Sequence, residues 1–381
     1  MTKKPNLHDN QIDPDLAVLV GVGVNEIIDE TALNELAALC DTCNIIEVAR
    51  VIQNRKDVDV TYYVGKGKVD EIKQLVTQTA ATVVVFDVEL SGSKVRNLEA
   101  ALGVSVLDRS KIILDIFAQR AQSLEGKLQV ELAQLRYNLP RLVGAGGVMS
   151  QMKNSVGMRG PGEKKLELDK RKIRDEITAL EERLAKVAEH RETNKKTATK
   201  NQIPRVCLVG YTNSGKSTLL NTIAKTSAYA ADKLFATLDP KTARVYITQT
   251  PQKFPSTPTL NQTGTQGHQI LLTDTVGFID RLPHEFIRAF ESTLDEARTA
   301  DLLLHVVDAS NPAHEKQISV VNSVLKKIAA AHVPTILVYN KTDCCPASSR
   351  KGQTQTPQVY ISALKNQGID ALKQKIVDFL L

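Results

Sequence analysis

The sequence predicts an α/β protein built in three parts, and three observations carry that prediction. Within a first part expected over 1–110, residues 16 to about 110 alternate short β-rich runs with helical patterns. Residues 111–200 hold two long apolar stripes at helical spacing, with a Gly/Lys-rich stretch between them. Residues 204–381 open on an apolar strand, a glycine loop and a helix start, in that order. The expected architecture is an N-terminal α/β domain, a coiled-coil-like antiparallel hairpin of long helices, and a C-terminal doubly wound, mostly parallel sheet.

In the first part, "LAVLVGVGV", "ETALNELAALC", "NIIEVARVI", "KVDEIKQLVTQTA" and "TVVVFDV" read as strand, helix, strand, helix, strand. "YVGKGKV", Tyr63 to Val69, lies between such elements. Its Gly65 and Gly67 fit a phosphate cradle or, more commonly, a glycine turn ahead of a helix.

The pattern turns helical from about Arg109 to Leu139, with Phe117, Leu124, Leu128, Leu132 and Leu135 on one stripe. A second helix is expected from about Lys165 to Arg191, where Ile173, Ile177, Leu180, Leu184 and Val187 step by four and three. That is heptad spacing, which pairs helices. "GAGGVMSQMKNSVGMRGPGEKK" between them is too glycine-rich for a helix and too long for a simple turn. "ETNKKTATKNQIP" reads as a polar linker ending at Pro204.

Composition narrows the class. An apolar share of 42% suits a soluble chain with buried cores. The longest apolar runs, such as Leu16 to Val22 and Thr82 to Val88, are strand-length and far short of a membrane span. Met1 to Asp15 is polar and lacks a signal-peptide core, so a cytoplasmic protein is expected, without membrane insertion. Cys40 and Cys43 are the one spaced pair among five cysteines, and no second pair or matching histidines complete a zinc pattern. Free, reduced thiols are expected. The charge is unevenly placed. The chain carries 49 Lys/Arg and 43 Asp/Glu; Arg141 to Lys200 alone holds 15 against 9, which leaves 34 of each elsewhere. The net +6 therefore sits in one segment, which fits either a polyanion contact or a solvated helix.

The third part carries the chemistry. Gly210-Tyr211-Thr212-Asn213-Ser214-Gly215-Lys216-Ser217, followed by Thr218, fits the P-loop pattern in its strand–loop–helix context. Small residues there let successive N–H groups close around phosphate oxygens. The helix N-terminus and Lys216 add positive charge, and the Ser217 hydroxyl is placed to bind Mg²⁺. Three further stretches follow in the order a GTP-binding domain needs. Asp274-Thr275-Val276-Gly277 ends a strand, with Asp274 expected on the metal and the Gly277 N–H at the γ-phosphate. Asn340-Lys341-Thr342-Asp343 ends another, and a carboxylate there accepts from guanine N1–H and its exocyclic amine together, which adenine cannot match. In Ser362-Ala363-Leu364 the Ala363 N–H is expected at guanine O6. "DKLFATLDPKTARV" offers Thr237 or Thr242 as a second hydroxyl on the metal. After Gly277 stands Phe278, which can neither donate nor accept a hydrogen bond where GTP-switch proteins often place a water-orienting glutamine.

At this point the chain resembles the HflX family of ribosome-associated, Obg-HflX-like P-loop GTPases. The likeness rests on "TYYVGKGKV", "VRNLEA", "ILDIFAQRA", "EGKLQVELAQLRY", "RGPGE", "GYTNSGKST", "LFATLDP", "DTVGFIDRLPHEFIRAFESTL" and "NKTD". It implies that the hairpin links to a C-terminal P-loop GTPase domain. It favours Thr237 over Thr242 as the metal ligand and places Phe235, Ala236, Leu238 and Asp239 around the nucleotide. It implies GTP turnover that is slow alone and stimulated by ribosomes, binding of the large ribosomal subunit and its RNA, and splitting or rescue of stalled ribosomes under stress. A monomer, peripheral membrane association and ATP at the N-terminal domain also come with it; no residue pattern here requires the ATP. Asn213 resembles the P-loop asparagine of potassium-activated GTPases, whose amide oxygen helps hold K⁺ beside the phosphates. With Lys216, it is then a catalytic candidate.

The sequence departs from the family at three places. After "RGPGE", Lys164-Lys165-Leu166-Glu167-Leu168-Asp169-Lys170-Arg171 stand where Thr-Gln-Leu-Glu-Thr-Asp-Arg-Arg is usual. Lys241 replaces a common Thr, and "TQTPQKFPSTPTLNQTGTQGHQ" lengthens a strand connection with Pro, Thr and Gln. Two other classes fit the same residues: a nucleotide-gated RNA-binding scaffold with incidental turnover, and an RNA- or ribosome-remodelling enzyme driven by ATP at the N-terminal domain. Lys153, Arg159, Lys164 and Lys165 are the expected RNA contacts, meeting phosphates in a salt-sensitive way. Reversing these four to Glu is expected to abolish cosedimentation with ribosomes at moderate salt and leave GTP affinity intact. Normal cosedimentation of that variant would move the contact elsewhere.

Overall fold

The computed structural model describes residues 14–25, 27–28, 30–142, 161–199, 203–224, 234–235, 238–248, 267–281, 291–345 and 356–380. The chain forms two compact units, one of residues 1–116 with 138–170, the other of 117–137 with 171–381. No helix among the described residues is long and apolar enough to cross a membrane.

The first unit holds four parallel strands, β1 (Asp15–Val24), β2 (Ile45–Arg55), β3 (Val83–Phe86) and β4 (Ser105–Asp108), in the order β2-β1-β3-β4. Parallel neighbours need crossovers, and α1 (Asn34–Thr42), α2 (Lys66–Thr79) and α3 (Gly92–Leu102) supply them. The run Val83-Val84-Val85-Phe86 is buried throughout, as an inner strand with both faces covered must be. Val18, Val20, Ile72, Phe86 and Leu98 share its core. The glycine turn of "YVGKGKV" starts α2, and the Gly65 N–H donates to Gln53 Oε1 at 2.9 Å. Arg109 is buried against Asp87 at 2.8 Å and against Glu35, so its charge is compensated.

The helical run expected over 109–139 is two helices, α4 (Arg109–Arg120) and α5 (Leu124–Arg141). The break has a local cause. Ser123 Oγ accepts the Gly126 N–H at 2.9 Å and caps a new helix start. The stripe divides accordingly: Leu128 and Leu132 are buried, Leu124 is exposed, and Phe117 packs edge-on against Phe235. The second long helix, α6 (Pro161–Thr199), starts earlier and ends later than expected. A proline in the first turn sacrifices no helical hydrogen bond.

In the second unit α5 and α6 pack through Leu128, Leu132 and Leu180, flanked by Leu135, Ile177 and Leu184. Arg136 and Glu181 add an ion pair at 2.6 Å. Six strands follow: β5 (Arg205–Gly210), β6 (Lys241–Thr248), β7 (Gly267–Asp274), β8 (Leu302–Asp308), β9 (Thr335–Asn340) and β10 (Gln358–Tyr360). Their order is β10-β9-β8-β5-β7-β6, parallel except for the β6–β7 pair. The helices are α7 (Lys216–Ala224), α8 (Glu291–Arg298), α9 (His314–Lys327) and α10 (Ile369–Leu380). The chain leaves β5 to build β6 and β7 on one side and β8 to β10 on the other. Open α/β sheets bind ligands at the carboxyl ends of strands beside such a reversal. The lengthened connection after β6 lies outside the described residues.

Leu180 is buried in the small α5–α6 cluster. Leu180→Ala is expected to cost about 2–4 kcal/mol, because a lone core leucine leaves a cavity that helices close only in part. Chemical unfolding followed by helical circular dichroism checks this; an unchanged midpoint would mean the cluster does not hold the two helices.

Candidate nucleotide site

The site begins where β5 ends. Gly210 closes the strand, Tyr211 to Gly215 form the loop, and Lys216 starts α7. Gly215 has φ +92°, and any Cβ there would overlap Asn340 Nδ2. Only glycine meets both demands. Asn213 has φ +58°, a left-handed conformation that Asn adopts more readily than other side-chain-bearing residues. Lys216 is buried, and its Nζ donates to the carbonyls of Gly210 at 3.1 Å and Tyr211 at 2.9 Å. Burial pushes its pKa down to about 8, against the pull of Asp274.

β7 delivers the next group. Asp274 is fully buried, and its Oδ2 accepts the Ser217 hydroxyl at 2.6 Å. The Thr275 hydroxyl donates to the Leu208 carbonyl at 2.7 Å and pins the following turn to β5. The chain then lies along the P-loop. The Phe278 N–H donates to the Gly210 carbonyl at 3.0 Å, and the Phe278 carbonyl accepts the Thr212 N–H at 2.7 Å. The Asp280 N–H donates to the Tyr211 hydroxyl at 2.8 Å. The Phe278 ring is buried. A Cβ on Gly277 would stand 2.9 Å from Thr212 Cα and 3.0 Å from Lys216 Nζ. Val276 is buried beside it.

β9 and the loop after β10 complete the ring. The Asn340 amide donates to the Ser214 carbonyl at 3.0 Å and accepts the Ala363 N–H at 2.9 Å. The Ala363 N–H, expected at guanine O6, is thus engaged by Asn340. Thr222 of α7 donates to the Ala363 carbonyl at 3.0 Å, and Thr342 to the Ile361 carbonyl at 2.9 Å. Lys341, at φ +60°, pairs with Asp308 at 2.7 Å. The Ser362 hydroxyl, with Lys365 at 3.6 Å, holds the Asp343 carboxyl below the usual carboxylate range. Leu364 is exposed.

The structure therefore gathers Gly210 to Ser217, Asp274 to Gly277, Asn340 to Asp343 and Ser362 to Ala363. Ala236 and Thr237 lie outside the described residues, as do Lys153 and Arg159; Lys164 and Lys165 lie on α6, their side chains undescribed. Phe235 and Asp239 make their contacts elsewhere: Phe235 on Phe117, and Asp239 on Gln122 and Ser123. Sequence reasoning missed the Tyr211 hydroxyl and His305. His305 is buried in β8, its pKa pushed down to about 4 by burial and by Lys216. A polar residue inside the apolar run "LLLHVVD" was the available signal for it.

Three family models match the chain. The one described as GTP-binding GTPase N-terminal covers residues 30–118, and GTP-binding GTPase Middle Region covers 120–197. The third, described as 50S ribosome-binding GTPase, covers 205–341. The GTPase HflX of Caldanaerobacter subterraneus subsp. tengcongensis is 46% identical over 367 residues, 96% of this chain and 80% of that one. The GTPase HflX of Escherichia coli (strain K12) is 41% identical over 368 residues, 96% of this chain and 82% of that one. Among solved structures, the crystal structure of the SsGBP and GDP complex is similar with a TM-score of 0.50 at 25% identity, covering 96% of this chain and 98% of that one. Identity of this extent reaches well beyond the phosphate loop, which many unrelated nucleotide-binding proteins share, and takes in the helical linker and the N-terminal sheet. The chain belongs to the HflX family of GTPases.

Proposed function

We propose that this GTPase acts on the large ribosomal subunit, splitting or rescuing stalled ribosomes under stress, and turns over GTP slowly until a ribosome docks. For the nucleotide, the carrying observation is the Asn340 amide, which joins the phosphate loop at Ser214 to the loop of Ala363. Two further facts support the partner: the match to a 50S ribosome-binding GTPase model over 205–341, and the basic excess confined to 141–200. Three matched regions, at 30–118, 120–197 and 205–341, fit the division into three parts proposed at 1–110, 111–200 and 204–381, though the first match runs on to 118.

In this reading Lys216 and the loop N–H groups hold the phosphates. Ser217 and Asp274 present a hydroxyl and a carboxylate to one another, a hard oxygen pair suited to Mg²⁺, and Thr237 adds a second hydroxyl. Bound there, the ion neutralises charge on the phosphates. The Asp343 carboxylate, kept ionised by Ser362, reads guanine N1–H and the amine. The Phe278 backbone pairing brings Gly277 so near Lys216 that a γ-phosphoryl group and this pairing compete for one space. GTP binding then loosens the pairing of Phe278 with Gly210 and Thr212, and the Gly277 N–H moves to meet the γ-phosphate.

Asp343→Asn is expected to relax base selection and admit xanthosine nucleotides, because it exchanges acceptor for donor at the base edge. An unchanged preference for GTP over XTP would overturn the base assignment.

Phosphoryl transfer depends on positioning and on positive charge where negative charge develops. Phe278 supplies neither. We assign that part to K⁺ held by the Asn213 amide oxygen, with a docked ribosome ordering the loops. GTP turnover in the presence of large subunits is expected to fall when K⁺ is replaced by Na⁺ at equal ionic strength, and Asn213→Ala is expected to abolish the difference. Equal rates in both salts would remove Asn213 from the mechanism, and rates indifferent to added subunits would remove the ribosome.

A further inference from the structure

The loop leading into β6 turns two side chains onto the linker helices. Asp239 Oδ2 accepts the N–H groups of Gln122 and Ser123, each at 2.9 Å, and Oδ1 accepts the Ser123 hydroxyl. Four residues earlier, Phe235 is buried at φ +54°, its ring edge-on to Phe117 with centroids 4.8 Å apart. A bulky residue in the left-handed region is uncommon and persists where its surroundings hold it. Phe117 lies in the last turn of α4 and Ser123 immediately precedes α5, so both anchors grip one corner of the linker.

A helix cap alone does not account for Asp239. Ser123 Oγ already caps the Gly126 N–H at 2.9 Å. Gly126 gives a second, independent sign. It lies inside a helix, where alanine is preferred, yet any Cβ there would run into Asp239 Oδ1. The linker is thus shaped to receive a carboxylate from a loop more than a hundred residues further on.

We propose that residues 235 and 239 form a latch between the nucleotide-responsive loop and the linker, with Asp239 as a positioning residue for GTP hydrolysis. The inference rests on reading 235–239 as that responsive loop. The carboxylate sits at the positive end of α5, and α5 carries Leu128 and Leu132 of the α5–α6 packing. A change of nucleotide that shifts the loop makes or breaks the latch, and linkage makes the effect reciprocal: moving α5 alters hydrolysis.

The test uses the full chain with Ser123→Ala, Gly126→Ala, Asp239→Asn and the double variant Gly126→Ala/Asp239→Asn. Each single change is expected to lower kcat for GTP by about fivefold or more and leave KM within about twofold. The double variant is expected to be no slower than the slower single, since both break one contact. Hydrogen exchange at Gln122 and Ser123 is expected to differ between GDP and a non-hydrolysable GTP analogue, and to lose that difference in Asp239→Asn. A purely structural cap would give Gly126→Ala normal kcat and nucleotide-independent exchange. Either result, or effects that multiply in the double variant, would overturn the latch. Turnover by the unaltered chain reports separately on the GTPase reading. Ser123→Ala removes a single hydroxyl and keeps both backbone donors, so it remains informative if a bulkier change fails to fold.

Discussion

The buried side chain of Asn340 is the constraint on which the rest of the site depends. It stands at the end of β9, two strands from β5, yet its amide reaches the Ser214 carbonyl on one side and the Ala363 N–H on the other. Leaving either half unpaired in that setting costs about 1–3 kcal/mol. Three loops are therefore fixed in register by one planar group. Gly215 must be glycine because the amide occupies the place of its Cβ. Thr222 and Thr342 repeat the logic on neighbouring carbonyls, so α7 and the base loop are joined to the same network. The phosphate loop and the loop after β10 are thereby joined within this unit, and a fault in either spreads to the other.

Much of this was legible in the sequence because the chemistry constrains backbone as well as side chain. Glycine at 210 and 215, lysine at 216 and the apolar strand before them leave a linear signature. The strands read well for a similar reason: Val83 to Phe86 is apolar without alternation, and the sheet buries it on both faces. What sequence could not show are contacts that join distant segments through side-chain direction. Leu124 keeps helical spacing with Leu128 yet stands exposed, because it lies in the first turn of α5, ahead of the stretch that packs on α6. Phe117 looked like part of that stripe and belongs to Phe235. The Ala363 N–H looked free for a base and serves Asn340.

Phe278 shows both sides of that limit. Its ring announced that no glutamine chemistry could occur there, and burial of the ring agrees. Its backbone role was invisible, since any residue other than proline can offer an N–H and a carbonyl. Those two groups form an isolated bridge to the phosphate loop, Gly210 carbonyl to Phe278 N–H and Thr212 N–H to Phe278 carbonyl. An apolar residue suits this arrangement better than glutamine would. Its side chain anchors the bridge by its burial, and a buried amide in the same place would demand partners of its own.

Both segments flanking the phosphate loop are thus held by protein groups. One is held by the Phe278 pairing, the other by Phe235 and Asp239 on the linker. Such a protein does not present a finished catalytic surface to its nucleotide. In the proposed reading, part of the binding energy of GTP goes into rearranging contacts the chain already makes, and that share cannot also lower the barrier to hydrolysis. In the same proposed reading, slow turnover by the isolated chain follows from this cost. A partner that favoured the rearranged loops would return the difference to the reaction, because a ligand shifts a conformational equilibrium by its preference for one state over the other. The helical linker is where such a preference can enter, since the residues leading into α5 hold Asp239 and α5 packs on α6 through Leu128 and Leu132.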